Sequence, residues 1–442
     1  MANNFLRSLG LVSAVALIPA ATAALAAVDV DTYKELDQFM SVFERVRSEY
    51  VEQVDDKTLL RGAIDGMLAS LDPHSSYLDE RGYESLMTST EGEYGGLGLS
   101  VTMEDEVVKV IAATEDTPAD RAGIKAGDYL THLDGKLIYG GTLDEAVDQM
   151  RGKPGSTIKV TIVRPGRDKP FDVQLTRAII EVPAVKWEVK DRVGIINVNS
   201  FSRSTTEATL AAISSIEKSL GGQPLGYILD LRSNPGGLLD QAIGLSDVFL
   251  ERGEVVSQRG RKKSDIERFY AKPGDAADGL PVIVLVDAGS ASAAEIVAAA
   301  LQEHHRAIVM GERTFGKGSV QTLLPLSQQT ALRLTTARYY TPSGRSVQEG
   351  GITPDIAVPQ LTDPDLALRR VVRESDLRRH LINEAKVDDS IIQNDGKPDP
   401  RFSATPDELK KKGIKDFQLH YALQAITRLG RSASAASTPR SR

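Results

Sequence analysis

The chain has 442 residues, enough for two or three domains, and its 41% hydrophobic and 26% charged residues are ordinary for a globular protein. Lys and Arg number 53 against 61 Asp and Glu, a formal charge of −8 that argues against a nucleic-acid binder, which wants a basic face. Cysteine is absent, removing thiol nucleophiles, thiolate metal sites and disulfides, and the 6 histidines form no H-E-x-x-H zinc pattern.

Arg7 is the only charge before Asp29. Between them an apolar run from Leu9 to Ile18 is followed by small residues, and Ala21-Thr22-Ala23 and Ala24-Leu25-Ala26 offer small-x-small cleavage patterns. Residues 1–27 therefore read as a signal peptide. The competing reading is an uncleaved anchor, since Ser8 to Val28 is just long enough to span a bilayer. Either way the remainder is exported.

Residues 28–90 read as an N-terminal helical domain. Tyr33, Leu36, Phe39, Met40, Phe43 and Val46 recur at spacings of three and four, and a second helical stretch from Thr58 to Leu71 stops at Asp72-Pro73. Residues 91–180 change character. Tyr94-Gly95-Gly96-Leu97-Gly98-Leu99 is a glycine-rich turn feeding a strand, and no Lys-Ser/Thr follows that would make it a phosphate loop. Val107 to Ala112 is a strand, Thr117 to Ile124 a short helix ended by Gly123, Leu143 to Met150 a helix and Ile158 to Val163 a strand. This order resembles a PDZ domain of the permuted bacterial type. Such a domain adds a peptide carboxy-terminus as a strand beside a glycine-rich loop whose N–H groups hold the carboxylate, here Gly96-Leu97-Gly98.

Residues 181–360 alternate strands and helices, the sign of a layered βα domain. Val282 to Val286 is an unbroken apolar run, as expected of a strand buried on both faces, and an Ala-rich helix follows from Ala293 to Gln302. Residues 361–442 are polar with two helical pieces, and their last dozen residues, rich in Ser, Ala and Arg, read as disordered.

Three stretches in this region carry chemistry. In Gly289-Ser290-Ala291-Ser292-Ala293-Ala294-Glu295 a serine stands between a buried strand and a helix start, where free N–H groups can stabilise an oxyanion. Taken alone, the stretch reads first as a helix cap, with Glu295 completing a capping box from Ser292. In Gly316-Lys317-Gly318-Ser319-Val320-Gln321 a lysine sits between glycines. Desolvation can bring such an amine to neutrality, and Gln321 is placed by an even spacing on the same strand face. His304 and His305 lie at the far end of the helix that follows Ser292, out of reach as its base. In Asp230-Leu231-Arg232-Ser233-Asn234-Pro235-Gly236-Gly237 a turn after a strand can aim a backbone N–H into a site.

Together these stretches resemble the carboxy-terminal processing protease family, tail-specific serine proteases with a PDZ domain. So do Asp72-Pro73-His74-Ser75-Ser76-Tyr77-Leu78, Thr341-Pro342-Ser343-Gly344-Arg345-Ser346-Val347-Gln348 and Gly351-Ile352-Thr353-Pro354-Asp355-Ile356. The resemblance covers about residues 35–360. It implies an α/β core within an α+β multidomain chain: a ββα-type layered Ser-Lys protease core over 181–360, an inserted PDZ domain, and helical N- and C-terminal segments. It further implies Ser292 as nucleophile, Lys317 as general base and Gln321 as the group that orients the base. Ala293 and one of Gly236 or Gly237 would supply the oxyanion hole. Two positions depart from the family pattern, Ala294 for a serine and Ala299 for a glycine; both are small-for-small. No metal or other cofactor is required. Protein substrates would be bound by their C-termini in the periplasm, with membrane contact peripheral or absent. The helices of 29–90 and 361–420 are natural contacts for a homo-oligomer or an adaptor protein, although their apolar faces read first as core. The alternative is a catalytically inactive relative acting as a peptide-binding scaffold.

Overall fold

The computed structural model describes residues 30–362, 371–385, 387, 399 and 401–437. The leader expected over 1–27 lies outside them, and no helix among the described residues is long and apolar enough to cross a membrane. The chain parts into two units between Gly66 and Met67.

In the first unit, α1 (Val30–Glu49) carries the apolar stripe that the spacing predicts, and α2 (Asp56–Ala69) begins there. Arg47 pairs with Glu44 at 2.7 Å and Asp56 at 3.6 Å. The stripe is not buried core: Tyr33, Leu36 and Met40 remain 58%, 51% and 49% exposed.

The second unit opens with β1 (Ser76–Leu78), a strand inside a stretch expected to be helical. Asp72 explains the turn into it, because its carboxylate takes the N–H of His74 at 2.8 Å and of Ser75 at 2.9 Å, an Asx-type turn that replaces helical bonds. Next comes α3 (Glu80–Glu91), capped by Asp79, whose carboxylate accepts from the Gly82 N–H at 2.9 Å. Then β2 (Glu93–Gly96) leads into a small β domain.

That domain contains β3 (Leu99–Glu104), β4 (Val107–Ala113), α4 (Pro118–Arg121), β5 (Tyr129–Leu133), β6 (Lys136–Leu137) and α5 (Leu143–Met150). It closes with β7 (Thr157–Val163), β8 (Phe171–Thr176) and β9 (Ala178–Glu181). The sheet order is β3-β4-β5-β7-β8, and β2 pairs with β9, so the chain enters and leaves side by side. Alternation sets the core: Val108 and Val110 on β4, and Ile158, Val160 and Ile162 on β7, all point inward. A Thr142–Glu145 capping box starts α5.

The layered domain follows with β10 (Val185–Lys190), β11 (Val193–Val198), α6 (Thr205–Leu220), β12 (Tyr227–Asp230), α7 (Leu239–Asp247), β13 (Gly253–Gly260) and β14 (Ile266–Ala271). It continues through β15 (Val282–Val286), α8 (Ala293–Glu303), β16 (Ile308–Gly311), β17 (Ser319–Pro325), β18 (Ala331–Tyr340) and β19 (Ile356–Ala357). One sheet runs β10-β11-β12-β15-β16-β19, parallel except for the β10–β11 pair. Val282, Val284 and Val286 of β15 face the core shared with α6, α7 and α8. Ile283 and Leu285 face the opposite side, against Ala422, Leu423 and Ile426. This second burial explains the unbroken apolar run. The covering helix is α10 (Phe417–Ser437), preceded by α9 (Pro406–Lys411); α10 runs into the stretch that composition reads as disordered. A second sheet, β1-β18-β13-β14 with β17 on β18, joins the 72–78 motif to the strands that follow Lys317.

Candidate active site

Ser292 is the last residue before α8, where the chain leaves β15 and must turn sharply into an Ala-rich helix that is buried from Ala293 to Leu301. Its backbone sits at φ 55° and ψ −112°. For a residue with a Cβ this left-handed region costs on the order of 1–3 kcal/mol, and such strain gathers where a side chain must be presented. A nucleophilic serine on a strained strand-to-helix turn is a known solution to exposing a hydroxyl. Glu295 does form the acidic arm of a capping box, accepting the Ser292 N–H at 2.8 Å, but the hydroxyl of Ser292 makes no cap bond.

Glu295 does more than cap. It is fully buried, and the Oε2 that takes the Ser292 N–H also takes the Lys317 N–H at 2.9 Å. Its Oε1 accepts the Gly316 N–H at 2.7 Å and the Thr314 hydroxyl at 2.5 Å. Burial outweighs these four donors, which pull the other way, and leaves this carboxyl raised to about 7. Tyr339 complements it from β18, its buried hydroxyl donating to the carbonyls of Lys317 and, at 3.2 Å, Ser292. One carboxylate thus ties both N–H groups and one phenol both carbonyls. The segments bearing the two expected catalytic side chains are clamped to each other by backbone.

Lys317 lies just before β17 rather than on it, and a register shift falls between Val320 and Gln321, so the even spacing does not place the two on one strand face. They meet nonetheless: the Lys317 amine donates to Gln321 Oε1. The flanking glycines allow the chain to crowd, since a Cβ on Gly316 would stand 2.9 Å from the Glu349 carbonyl and one on Gly318 2.7 Å from the Gln348 nitrogen. Burial pushes the amine down from 10.5 to about 8; Arg333 adds to the fall, while Glu374, Glu295 and Asp72 oppose it. No hydrogen bond joins the Ser292 hydroxyl to this amine in the structure. Gln321 holds the amine, and catalytic hydrogen bonds often tighten only once substrate is bound.

The Asp230–Gly237 turn packs directly against Ser292. A Cβ on Gly236, at φ +99°, would stand 2.8 Å from Ser292 Cβ and 3.0 Å from the Ala293 nitrogen. The Gly236 N–H is already taken by Asn234 Oδ1 at 2.8 Å. Neither the Gly237 nor the Ala293 N–H has an acceptor among the described residues, so of the two glycines Gly237 retains the available donor. Buried Asn234 sets this geometry, donating to the Val198 carbonyl at 2.7 Å and accepting the Ala291 N–H at 2.9 Å on its own carbonyl. Arg232 braces the turn between Asp230 (2.6 Å) and Asp416 (2.8 Å).

In the small β domain the Leu97 side chain is buried in the core, leaving only backbone to face a ligand. Gly98 needs to be glycine, with φ +78° and Thr117 only 2.3 Å from where a Cβ would stand. The N–H groups of Leu97 and Gly98 have no acceptor among the described residues.

Sequence reasoning did not single out Tyr339, Thr314 or Glu374 and weighed Glu295 only as a cap. Glu374 comes from the 371–385 segment beyond the layered domain. It is fully buried, paired with His74 Nε2 at 2.9 Å and bonded by Gln348 at 3.0 Å. No local pattern marks these residues; only a polar identity at an inward position of β18 could have drawn attention to Tyr339. Among the described residues no cluster of His, Asp or Glu could hold a metal ion.

Residues 192–358 match the model of peptidase family S41, 95–175 that of the PDZ domain, and 18–82 that of the activating protease CtpB N-terminal domain. The chain is 52% identical over 360 residues to a carboxy-terminal-processing protease of Bartonella bacilliformis, covering 81% of this chain and 83% of that one. It is 37% identical over 331 residues to carboxy-terminal processing protease CtpA of Bacillus subtilis, covering 73% and 68%. A solved photosystem II D1 C-terminal processing protease aligns with a TM-score of 0.43 at 26% identity, over 77% of this chain and 96% of that one.

Proposed function

The chain belongs to the carboxy-terminal processing proteases, serine-type peptidases with a PDZ domain that act on peptide or protein substrates, and from that premise we propose an exported, periplasmic endopeptidase with a Ser292-Lys317-Gln321 site. One observation carries this reading. The amine of Lys317 is largely buried, faces a neutral amide rather than a carboxylate, and is held down to about 8 within the frame that also holds Ser292. Neutral Lys317 takes the Ser292 proton as Oγ attacks a peptide carbonyl. The N–H groups of Ala293 and Gly237 stabilise the oxyanion. The ammonium then protonates the departing amine, and water activated by the same lysine releases the acyl group.

Substrate C-termini dock on the Gly96-Leu97-Gly98 loop, whose available N–H groups suit a carboxylate. The exposed apolar face of α1 supports a homo-oligomer, and the same face suits an adaptor protein. Incubating the wild type, Ser292→Ala and Lys317→Met with a loosely folded protein, then identifying fragments by mass spectrometry, tests the reading. Both variants should leave the substrate whole. Undiminished cleavage by either would refute the site, and a substrate with an amidated C-terminus cut as well as the free acid would refute the docking rule.

A further inference from the structure

Lys317 and Gln321 are not the end of the chain of polar contacts. Both N–H bonds of the Gln321 amide are used, one toward Ser319 Oγ at 3.0 Å and one toward Thr335 Oγ1 at 3.2 Å. Thr335 lies on β18, and its own hydroxyl donates to Asp72 Oδ1 at 3.1 Å, 263 residues earlier in the chain. The remaining Asp72 contacts are all donors as well: the N–H groups of His74 and Ser75, and the Ser75 hydroxyl at 2.8 Å to Oδ2. The Thr335 N–H returns to Ser75 Oγ at 3.1 Å, and Ser76 pairs with Arg333, so the 72–78 motif and β18 are held in register.

From this geometry we infer that Asp72 and Thr335 are positioning residues that fix which end of the Gln321 amide faces the Lys317 amine. The argument rests on the site proposed above and on proton direction. Burial alone would push the Asp72 carboxyl up, but the Ser75 hydroxyl, the two N–H groups and the Thr335 hydroxyl together hold it below the ordinary carboxylate value. An ionised carboxylate only accepts. Thr335 has one proton, and Asp72 takes it, so toward Gln321 the threonine oxygen can only accept. The amide must therefore turn its NH2 to Thr335 and Ser319, which leaves Oε1 toward Lys317. That polarity decides the chemistry. An amide oxygen takes one N–H of the neutral amine and leaves its lone pair for Ser292. A reversed amide would donate to that lone pair and block the base. The motif at 72–78 thereby reaches the reacting amine through two side chains without touching substrate.

The test compares Thr335→Val, Thr335→Ser, Asp72→Asn, Gln321→Ala and Thr335→Val/Gln321→Ala in the full chain, with Lys317→Met alongside. It reads kcat, KM, the pH dependence of kcat/KM on one protein substrate, and thermal unfolding. Thr335→Val should lower kcat by about tenfold or more with KM within about twofold, and Thr335→Ser should restore it. The ascending pH limb should also move to lower pH in Thr335→Val, because the ammonium loses its acceptor; a general loosening of the fold would not move it. Asn at 72 keeps an acceptor for the turn but offers NH2 to the hydroxyls, so it should lower kcat as Thr335→Val does with near-native unfolding. Its limb should move to lower pH at least as far, because the Asp72 charge that favours the ammonium is lost as well. The double variant should be no worse than Gln321→Ala alone. Wild-type kcat and limb in either Thr335→Val or Asp72→Asn would overturn the inference. So would a Thr335→Ser as impaired as the valine, or losses that multiply in the double variant. Full activity in Lys317→Met would instead overturn the site itself.

Discussion

A lysine that acts as base should reveal its surroundings in the pH profile. The amine is depressed from 10.5 to about 8, equivalent to about 3 kcal/mol favouring the neutral form. At pH 7 about a tenth of the enzyme is ready, and at pH 6 about a hundredth, so kcat/KM should climb about tenfold per pH unit and level off above 8. Two charges of opposite sign tune this limb, since Glu374 raises the amine and Arg333 lowers it. Neutralising Glu374→Gln removes the carboxylate that favours the ammonium, so the limb moves to lower pH. Neutralising Arg333→Gln removes a repelling cation, so it moves to higher pH. In an effective dielectric of about 20 a nearby unit charge contributes on the order of 1–2 kcal/mol. Partial solvation trims this, and shifts of about 0.5–1.5 pH units in opposite directions are expected. The assay is kcat/KM for one substrate from pH 5 to 10 at constant ionic strength. A profile flat down to about pH 5, or two limbs displaced the same way, would refute a lysine base set by these neighbours.

Lys317→Met should be inactive and yet more stable. Because the folded state depresses the amine, the unfolded chain binds more protons between pH 8 and 10.5; wild-type stability rises through that window and below it carries a penalty of up to about 3 kcal/mol. Urea unfolding should favour the methionine variant at pH 7 and show the gap closing toward pH 10.5. Gly236→Ala places a Cβ 2.8 Å from Ser292 Cβ at φ +99°, so proteolysis should fall at least about a hundredfold, measured as kcat/KM on an unfolded protein. Gly98→Ala should raise KM for free C-termini while leaving kcat largely unchanged, because its Cβ would strike Thr117 within the small β domain, which supplies none of the Ser292-Lys317-Gln321 side chains.

The parts of the fold that were legible share one property: their cause is local. The unbroken apolar run Val282–Val286 and the helix Leu143–Met150 carry their pattern and their boundaries in the residues themselves. Strands β10, β13 and β14 carry no such local signature. Trp187 is 44% exposed and Ile266 44% on these edge or polar strands, so no clean inward–outward alternation announces them. The strand Ser76–Leu78 was hidden for a different reason, because three residues have no period and its partner Arg333 lies far along the chain.

The site divides the same way, and the division explains why it is built as it is. Ser292, Lys317 and Gln321 could be given roles through the resemblance of their motifs to the carboxy-terminal processing proteases, although taken alone Ser292 reads first as a helix cap. Glu295, Tyr339, Thr335 and Asp72 could not, since their role depends on which donor meets which acceptor after the sheets assemble. A lysine base needs such hidden partners more than a histidine base does. Its amine is neutral only when desolvated, and desolvation also removes the water that would satisfy neighbouring N–H and C=O groups. The backbone groups beside Lys317 therefore need protein partners, whereas the N–H groups of Ala293 and Gly237 are left without an acceptor among the described residues. Glu295 takes the N–H groups of Ser292, Gly316 and Lys317, and Tyr339 takes the opposing carbonyls, so the requirement that keeps the amine dry also locks the serine segment to the lysine segment.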